Sequence, residues 1–222
     1  MIVLTNYNIS LELLQQAQLE VPNIDSRLVL NQPTGRFFND PWEIKPEFKN
    51  TVWEQVLDSL SEPKGEARLI RLDQGVCYPS HADIDDRWHL TIQGNHSYLI
   101  DLESHTMYQT DELGTWYFMD AGRRHTAANF GSGYRIQLVV RKLLPLPNIT
   151  NPVNVSIKLK SLIDERRFVF DDIISPWLNR AYKQGIVDNF KGEELEATFT
   201  VESSAVDELQ KLIDSHFTLT IL

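Results

Sequence analysis

His81 and Asp83 stand two residues apart in the stretch Pro79-Ser80-His81-Ala82-Asp83. On an extended backbone, side chains two apart leave the same face, so this pair can take neighbouring corners of one metal ion. A third ligand from an adjacent strand completes a facial set, and His125 is the histidine placed to supply it. Two histidines and one carboxylate, with the opposite positions open, is the arrangement that non-haem Fe(II) oxygenases use. Asp85 shares parity with His81 and competes with Asp83. A turn is expected after Asp83, which favours the shorter spacing. A bare His-x-Asp arises by chance in many proteins; the distal histidine and Arg135 give this one weight.

Gly131-Ser132-Gly133 lies between two strand patterns and reads as a hairpin loop. A hairpin centred on Ser132 sets Asn129 opposite Arg135 and His125 opposite Val139. His125, Ala127 and Asn129 then face the same way as Arg135, Gln137 and Val139. Arg135 is thereby expected about 13 Å along the strand from the level of His125, at about 3.4 Å per residue. An extended arginine covers about half of that span and leaves about 6 to 7 Å on the same strand rise. That gap suits a five-carbon dicarboxylate held by a metal at one end and a guanidinium at the other. Arginine is apt there because its planar fork grips a carboxylate through two parallel hydrogen bonds. The spacing points to 2-oxoglutarate. Alone, Gly122-Arg123-Arg124-His125 would read as a polar turn with a solvated histidine. His96, His105 and His216 have no such partners and are expected in surface or structural roles.

Arg87, His89 and Thr91 alternate with Trp88, Leu90 and Ile92. If both faces of that strand are covered, Arg87 and His89 line a cavity while the aliphatics meet an outer layer. The plainer readings are a surface salt bridge from Arg87 to Asp85 or Asp86, and a hydrogen-bonded core histidine at 89. The aromatic, turn-rich stretch Gly35–Trp42 reads as a surface loop with a buried anchor or as one wall of a substrate pocket. Trp88, Asn129 and Trp42, with Arg87 and His89, are the candidates for substrate contact.

The elements that must position these groups change character along the chain. Residues 1–63 read as a mixed entry segment. It has a helix over Ser10–Ala17 capped by Ser10, and another over Pro46–Leu60 with a stripe of Phe48, Val52, Trp53, Val56, Leu57 and Leu60. From Gly65 to Lys142 the period is two. Strands are predicted over Ala67–Asp73, Val76–His81, Arg87–Gln93, Ser97–Asp101, Thr106–Thr110, Trp116–Met119, His125–Phe130 and Tyr134–Arg141. About eight short strands at such intervals predict a sandwich or a double-sheet jelly roll of the cupin type, so the fold class is mainly β. The domains are then a jelly-roll unit with its helical entry over 1–144, a Pro-rich linker over 145–152 and a small α/β unit over 153–222. In that last unit strands are expected over Val153–Leu159, Arg167–Phe170, Leu195–Val201 and His216–Leu222. Helices are expected over Asp171–Gln184 and Ser204–Ser215, with Ser204 and Asp207 as a capping box.

The 222 residues are 42% hydrophobic and 23% charged, enough for a substantial core and unlike a disordered chain. A net charge of −10 argues against nucleic acid. Apolar runs are far short of the roughly 20 residues of a spanning helix, and the first residues lack the features of a signal peptide. Cys77 is the single cysteine, which excludes a disulfide framework and fits a reducing cytoplasm; it is expected as a small buried apolar residue. The expected partner is a small-molecule or peptide substrate, with no nucleic acid and no membrane.

Several segments together resemble the aspartyl/asparaginyl β-hydroxylase family of Fe(II)/2-oxoglutarate-dependent dioxygenases, and within it the proline cis-4-hydroxylase branch. They are Ala67-Arg68-Leu69-Ile70-Arg71, His81-Ala82-Asp83, Arg87-Trp88-His89-Leu90, Gly114–Ala121, His125 and Tyr134–Val140, which span about a third of the chain in the expected order. The resemblance implies a double-stranded β-helix core, His81, Asp83 and His125 as iron ligands, and Arg135 on the distal carboxylate of 2-oxoglutarate. It puts Arg87 and His89 near the cosubstrate's metal-end carboxylate or the substrate. It also implies O2 as oxidant and an amino acid or peptidyl side chain as substrate. The turn between Asp83 and Arg87 is shorter than in proline hydroxylases, so proline is not carried over. A non-oxidising cupin that binds a metal or small acid, or an isomerase on the same barrel, is the competing expectation.

Overall fold

A computed structural model describes residues 2–160, 173–192, 196–213 and 217–222. Strand β1 (Ile2–Asn8) leads into helix α1 (Leu11–Leu19), whose first turn Ser10 caps by accepting the Leu13 N–H at 3.1 Å. Strands β2 (Arg27–Val29), β3 (Asn31–Pro33) and β4 (Trp42–Ile44) follow, the last two paired with each other. The helix expected over Pro46–Leu60 is broken. A 3₁₀ turn at Pro46–Phe48 ends before Asn50, which has φ +60°, and α2 (Val52–Asp58) starts afresh with Thr51 as its cap. Val52, Trp53, Val56, Leu57 and Leu60 are buried in the main core all the same.

The period-two region forms β5 (Lys64–Leu72), β6 (Arg87–Gln93), β7 (Ser97–Asp101), β8 (Thr106–Gln109), β9 (Thr115–Met119), β10 (His125–Asn129) and β11 (Arg135–Lys142). Beyond these come β12 (Pro152–Leu159), α3 (Ser175–Lys183), β13 (Val187–Gly192), β14 (Glu196–Glu202), α4 (Val206–Leu212) and β15 (Phe217–Ile221). The chain is mainly β, in antiparallel sheets. A six-stranded sheet has the order β1-β9-β6-β11-β5-β2, a three-stranded one β10-β7-β8, and a C-terminal one β13-β14-β12-β15.

Alternation divides the six-stranded sheet into two faces. Leu69, Trp88, Leu90, Ile92, Trp116, Ile136, Leu138 and Val140 pack with α1 and α2 in one hydrophobic cluster. Arg68, Arg87, His89, Arg135, Gln137 and Val139 leave the other face. Fully burying Leu90, Ile136 or Leu138 contributes about 2 kcal/mol each. A slip of one residue would drive Arg135 and Gln137 into that core, so burial fixes the register that presents the polar face.

Three expectations are corrected here. β10 and β11 are not hairpin partners: β10 pairs with β7, while β11 pairs with β5 and β6, and Val139 stands opposite Arg68 and His89. The second edge of β10 is taken by the chain before the metal motif. Gly75 N–H donates to Asn129 O at 2.8 Å, Tyr78 N–H to Ala127 O at 2.9 Å and His81 N–H to His125 O at 3.0 Å. Residues 130–134 therefore carry the chain between sheets. For the same reason Val76–His81 is no regular strand but two isolated bridges, Cys77↔Ala128 and His81↔His125. Cys77 is exposed rather than buried.

The N-terminal segment is more than an entry, because β1 and β2 are the edges of the large sheet. The strand expected over Arg167–Phe170, the start of the helix expected from Asp171, and His216 lie outside the described residues. Strand β13 was not foreseen. The Ser204/Asp207 capping box is not formed: Ser203–Ala205 is a 3₁₀ turn that runs into α4 without a side-chain cap. The proline-rich segment is fastened down, with Asn148 N–H on Gly185 O at 2.6 Å and Glu202 accepting from Thr150 N–H at 2.7 Å. The C-terminal unit has its own core, to which Phe38, Ile84 and Leu144 contribute. Among the described residues no helix is long and apolar enough to cross a membrane.

Candidate metal centre and anion pocket

His81 and His125 face each other across an isolated antiparallel bridge, and directly opposed residues put their side chains on one side. Their rings lie 4.5 Å apart. Each Nδ1 meets the carbonyl two residues upstream, Pro79 O at 3.0 Å and Arg123 O at 2.8 Å. A carbonyl only accepts, so Nδ1 is the donor in both rings, and in the neutral tautomer Nε2 is the atom free to ligate. Both Nε2 atoms point to Asp83 Oδ2, at 3.8 Å from His81 and 3.7 Å from His125. The three donors lie within 4.8 Å of one another. The two His–Asp separations are short enough for one ion about 2.1 Å from both atoms, which can stand at most about 4.2 Å apart, and backbone acceptors on the far ring nitrogens are the usual support of histidine ligands.

The protonation states suit a cation. Burial works to raise the Asp83 pKa, but the Arg87 guanidinium and then the two imidazoles hold it well below the usual carboxylate range. Arg87 Nη2 is 2.8 Å from Asp83 Oδ1, and Arg87 Nε donates to Oδ2 at 3.1 Å. Burial pushes the His125 pKa down, against the pull of Asp83, which leaves a neutral ligand. Asp85 is no competitor. It is fully buried, 2.8 Å from Arg87 Nη1 and bonded to Arg141 Nε, so the Arg87–Asp85 pair is an interior one.

These donors open into a cavity of about 300 Å³ walled by both the six- and three-stranded sheets. Leu99, Met119 and Ala127 make its apolar side; Arg27, Arg68, Arg87, His89, Arg135 and Gln137 its polar one. Arg135 is 1% exposed, and its Nε and Nη1 have no hydrogen-bond partner among the described residues. Burial pulls its pKa down to about 10, with only the Tyr78 phenol opposing. A buried, unpaired guanidinium is costly unless something anionic joins it.

His89 has a definite tautomer. Gln137 Nε2 donates to Thr91 Oγ1 at 2.9 Å and to Thr110 Oγ1 at 3.2 Å, while both threonine hydroxyls donate onward to carbonyls. Gln137 Oε1 is thereby left to accept from His89 Nδ1 at 3.3 Å. His89 Nε2, buried and without a partner among the described residues, is an acceptor.

The structure thus brings together His81, Asp83, His125, Arg87, His89 and Arg135. The three residues expected at the substrate stand elsewhere. Trp88 leaves the opposite face of β6 and packs in the main core against Tyr7 and Phe118. Asn129 spends its side chain on backbone groups, donating to Leu72 O at 2.9 Å and Gly133 O at 2.8 Å and accepting from Gly131 N–H at 3.0 Å. Trp42 lies 5.9 Å from the Arg141 guanidinium, outside the cavity wall, and the loop before it anchors Phe38 against Tyr182 and Phe190. Sequence reasoning missed Arg27, Arg68 and Tyr78. Arg68 was legible, since it shares parity with Ile70 on β5 opposite the core residues Ala67 and Leu69.

No family model matches this chain, and no curated protein matches it. Among solved structures it is similar to a crystal structure of CapF with the inhibitor 3-isopropenyl-tropolone, at 12% identity and a TM-score of 0.31. The likeness covers 58% of this chain and 41% of that one, so the chain spans less than half the length of that protein.

Proposed function

We propose that this chain is an Fe(II)/2-oxoglutarate-dependent dioxygenase that hydroxylates an unactivated C–H bond of an amino acid or peptidyl side chain. In this reading the two facing sheets are a double-stranded β-helix core of the aspartyl/asparaginyl β-hydroxylase type. The observation that carries it is Arg135: a buried guanidinium with two unpartnered nitrogens in the same cavity as a His/Asp/His set. A cavity meant only for a metal has no use for it, whereas a diacid that reaches from metal to arginine uses both.

His81, Asp83 and His125 would hold the Fe(II). An iron so held supplies the activation of O2, in which 2-oxoglutarate loses CO2 to become succinate and the substrate C–H becomes C–OH. Arg135 binds the distal carboxylate of 2-oxoglutarate through its planar fork. Arg87 keeps Asp83 ionised and oriented. His89 Nε2 accepts a hydrogen bond from whatever donor enters beside it. Leu99, Met119 and Ala127 exclude water from the reacting end. Arg27 and Arg68, paired with Glu66 at 2.5 and 2.8 Å, add cationic character that suits a substrate bearing a carboxylate.

The test is succinate formation from 2-oxoglutarate with Fe(II) and ascorbate, with and without a panel of amino acids and peptides. Substrate-stimulated succinate is expected, with a product 16 Da heavier. Absence of turnover together with absence of 2-oxoglutarate binding would favour the non-oxidising cupin instead.

A further inference from the structure

Asp83 and His125 both sit at the ends of loops. Asp83 opens the segment that turns into β6, and His125 directly follows the turn 120–124. Next to the His81↔His125 bridge, a further backbone bond ties these loops together, Asp83 N–H to Ala121 O at 2.7 Å. Helix α3 of the C-terminal unit lies against both.

Asn179 and Lys183 are four apart on α3 and share a face. Asn179, 2% exposed, donates to Asp86 Oδ1 at 3.3 Å. Its carboxamide also packs on Gly122 so closely that a Cβ there would collide with it. Lys183 Nζ is 2.9 Å from Asp86 Oδ1 and 2.9 Å from Asp120 Oδ1. One residue after Asp83, Ile84 packs into the C-terminal core. The two side chains of α3 thus grip a point three residues past one candidate ligand, and points three and five residues before another.

We propose that α3 is a positioning clamp: through Asn179 and Lys183 it holds the Asp83 loop against the turn before His125 and so sets the separation of these two ligands. The inference rests on the metal reading above. It gives the C-terminal unit a task in a site to whose wall its described residues do not contribute.

Docking of the unit alone would also produce these contacts, so the test separates metal affinity from folding. Lys183 is 39% exposed but its partner Asp86 only 8%, so loss of the lysine also costs some folding stability, and binding has to be read on folded protein. Lys183→Met, titrated well below its melting temperature, is expected to weaken Co(II) binding, followed by its d–d absorption, about 10-fold, the lower end for outer supports of a metal site. Asn179→Ala should weaken it similarly, and Lys183→Arg should restore most of it. If Asn179→Ala fails to fold, the Lys183 pair decides. Wild-type Co(II) affinity in Lys183→Met overturns the clamp while leaving the metal site standing. A wild-type protein that binds no Co(II), or binds it equally well after His125→Ala, removes both readings.

Discussion

Gly94 lies against the backbone of Arg135: a Cβ on Gly94 would stand 3.2 Å from Arg135 Cα and 3.2 Å from its Cβ. Gly94 also has φ +124°, a conformation that side chains rarely adopt. β11 is paired on both edges, so it cannot back away. Gly94→Ala is therefore expected to destabilise the fold by about 1–3 kcal/mol and to weaken 2-oxoglutarate binding by displacing the guanidinium. Urea unfolding and calorimetry on one preparation check it. Unchanged values of both would show that this contact does not position Arg135.

Arg135 should trade stability for binding. Its guanidinium is buried without a partner, so Arg135→Met removes an uncompensated cation and keeps the stem's volume. Without ligand the variant is expected to be more stable by roughly 1–3 kcal/mol. Its 2-oxoglutarate affinity should fall roughly 100-fold, as for other buried charge pairs. A variant that binds 2-oxoglutarate normally would remove Arg135 from the site, and with it the main support for the oxygenase reading.

Much of this layout was written in local pattern. Arg135, Gln137 and Val139 alternate with Ile136, Leu138 and Val140, and Arg87 and His89 with Trp88 and Leu90, so cavity and core faces could be separated by parity. Sheet membership could not. Gly131-Ser132-Gly133 has the chemistry of a hairpin loop, and nothing local says that β10 has already given its free edge to residues 75–81. The separation inferred from that hairpin has no basis in the fold; what joins His125 to Arg135 is a shared cavity between sheets. β1 was missed because its burial alternates weakly, as an edge strand's does. Trp88 and Trp42 were chosen for their type, and type does not tell which side of a strand is covered.

Asn129 offers a test of position against type. Its carboxamide serves Leu72 O, Gly133 O and Gly131 N–H, which hold the passage from β10 toward β11. Asn129→Ala removes three hydrogen bonds to the backbone, those at Leu72 and Gly131 being to buried residues, and is expected to cost about 2–4 kcal/mol, at about 1 kcal/mol for each. In whatever fraction remains folded, the KM for substrate should be unchanged. A raised KM with normal stability would return Asn129 to the substrate.

His89 should make stability depend on pH in a direction that can be worked out. Burial first, then the nearby cations led by Arg135, push its pKa down to about 3 against the Gln137 hydrogen bond, from the ordinary 6.5. Between these two values the unfolded chain binds a proton that the folded chain refuses, so unfolding takes up protons and acid favours it. The neutral ring's stability is fully present above pH 6.5 and is lost as pH falls toward 3. One such group gives a slope of about 1.4 kcal/mol per pH unit. Other acids titrate in the same window, so the informative quantity is the difference between wild type and His89→Gln. From pH 6 to pH 4 wild type is expected to lose about 2–3 kcal/mol relative to the variant, at that slope. The ¹⁵N spectrum should show a protonated Nδ1 and a bare Nε2 throughout. A difference that stays flat with pH would mean that the ring is solvated or charged, and its reading as a fixed acceptor facing the cavity would go with it.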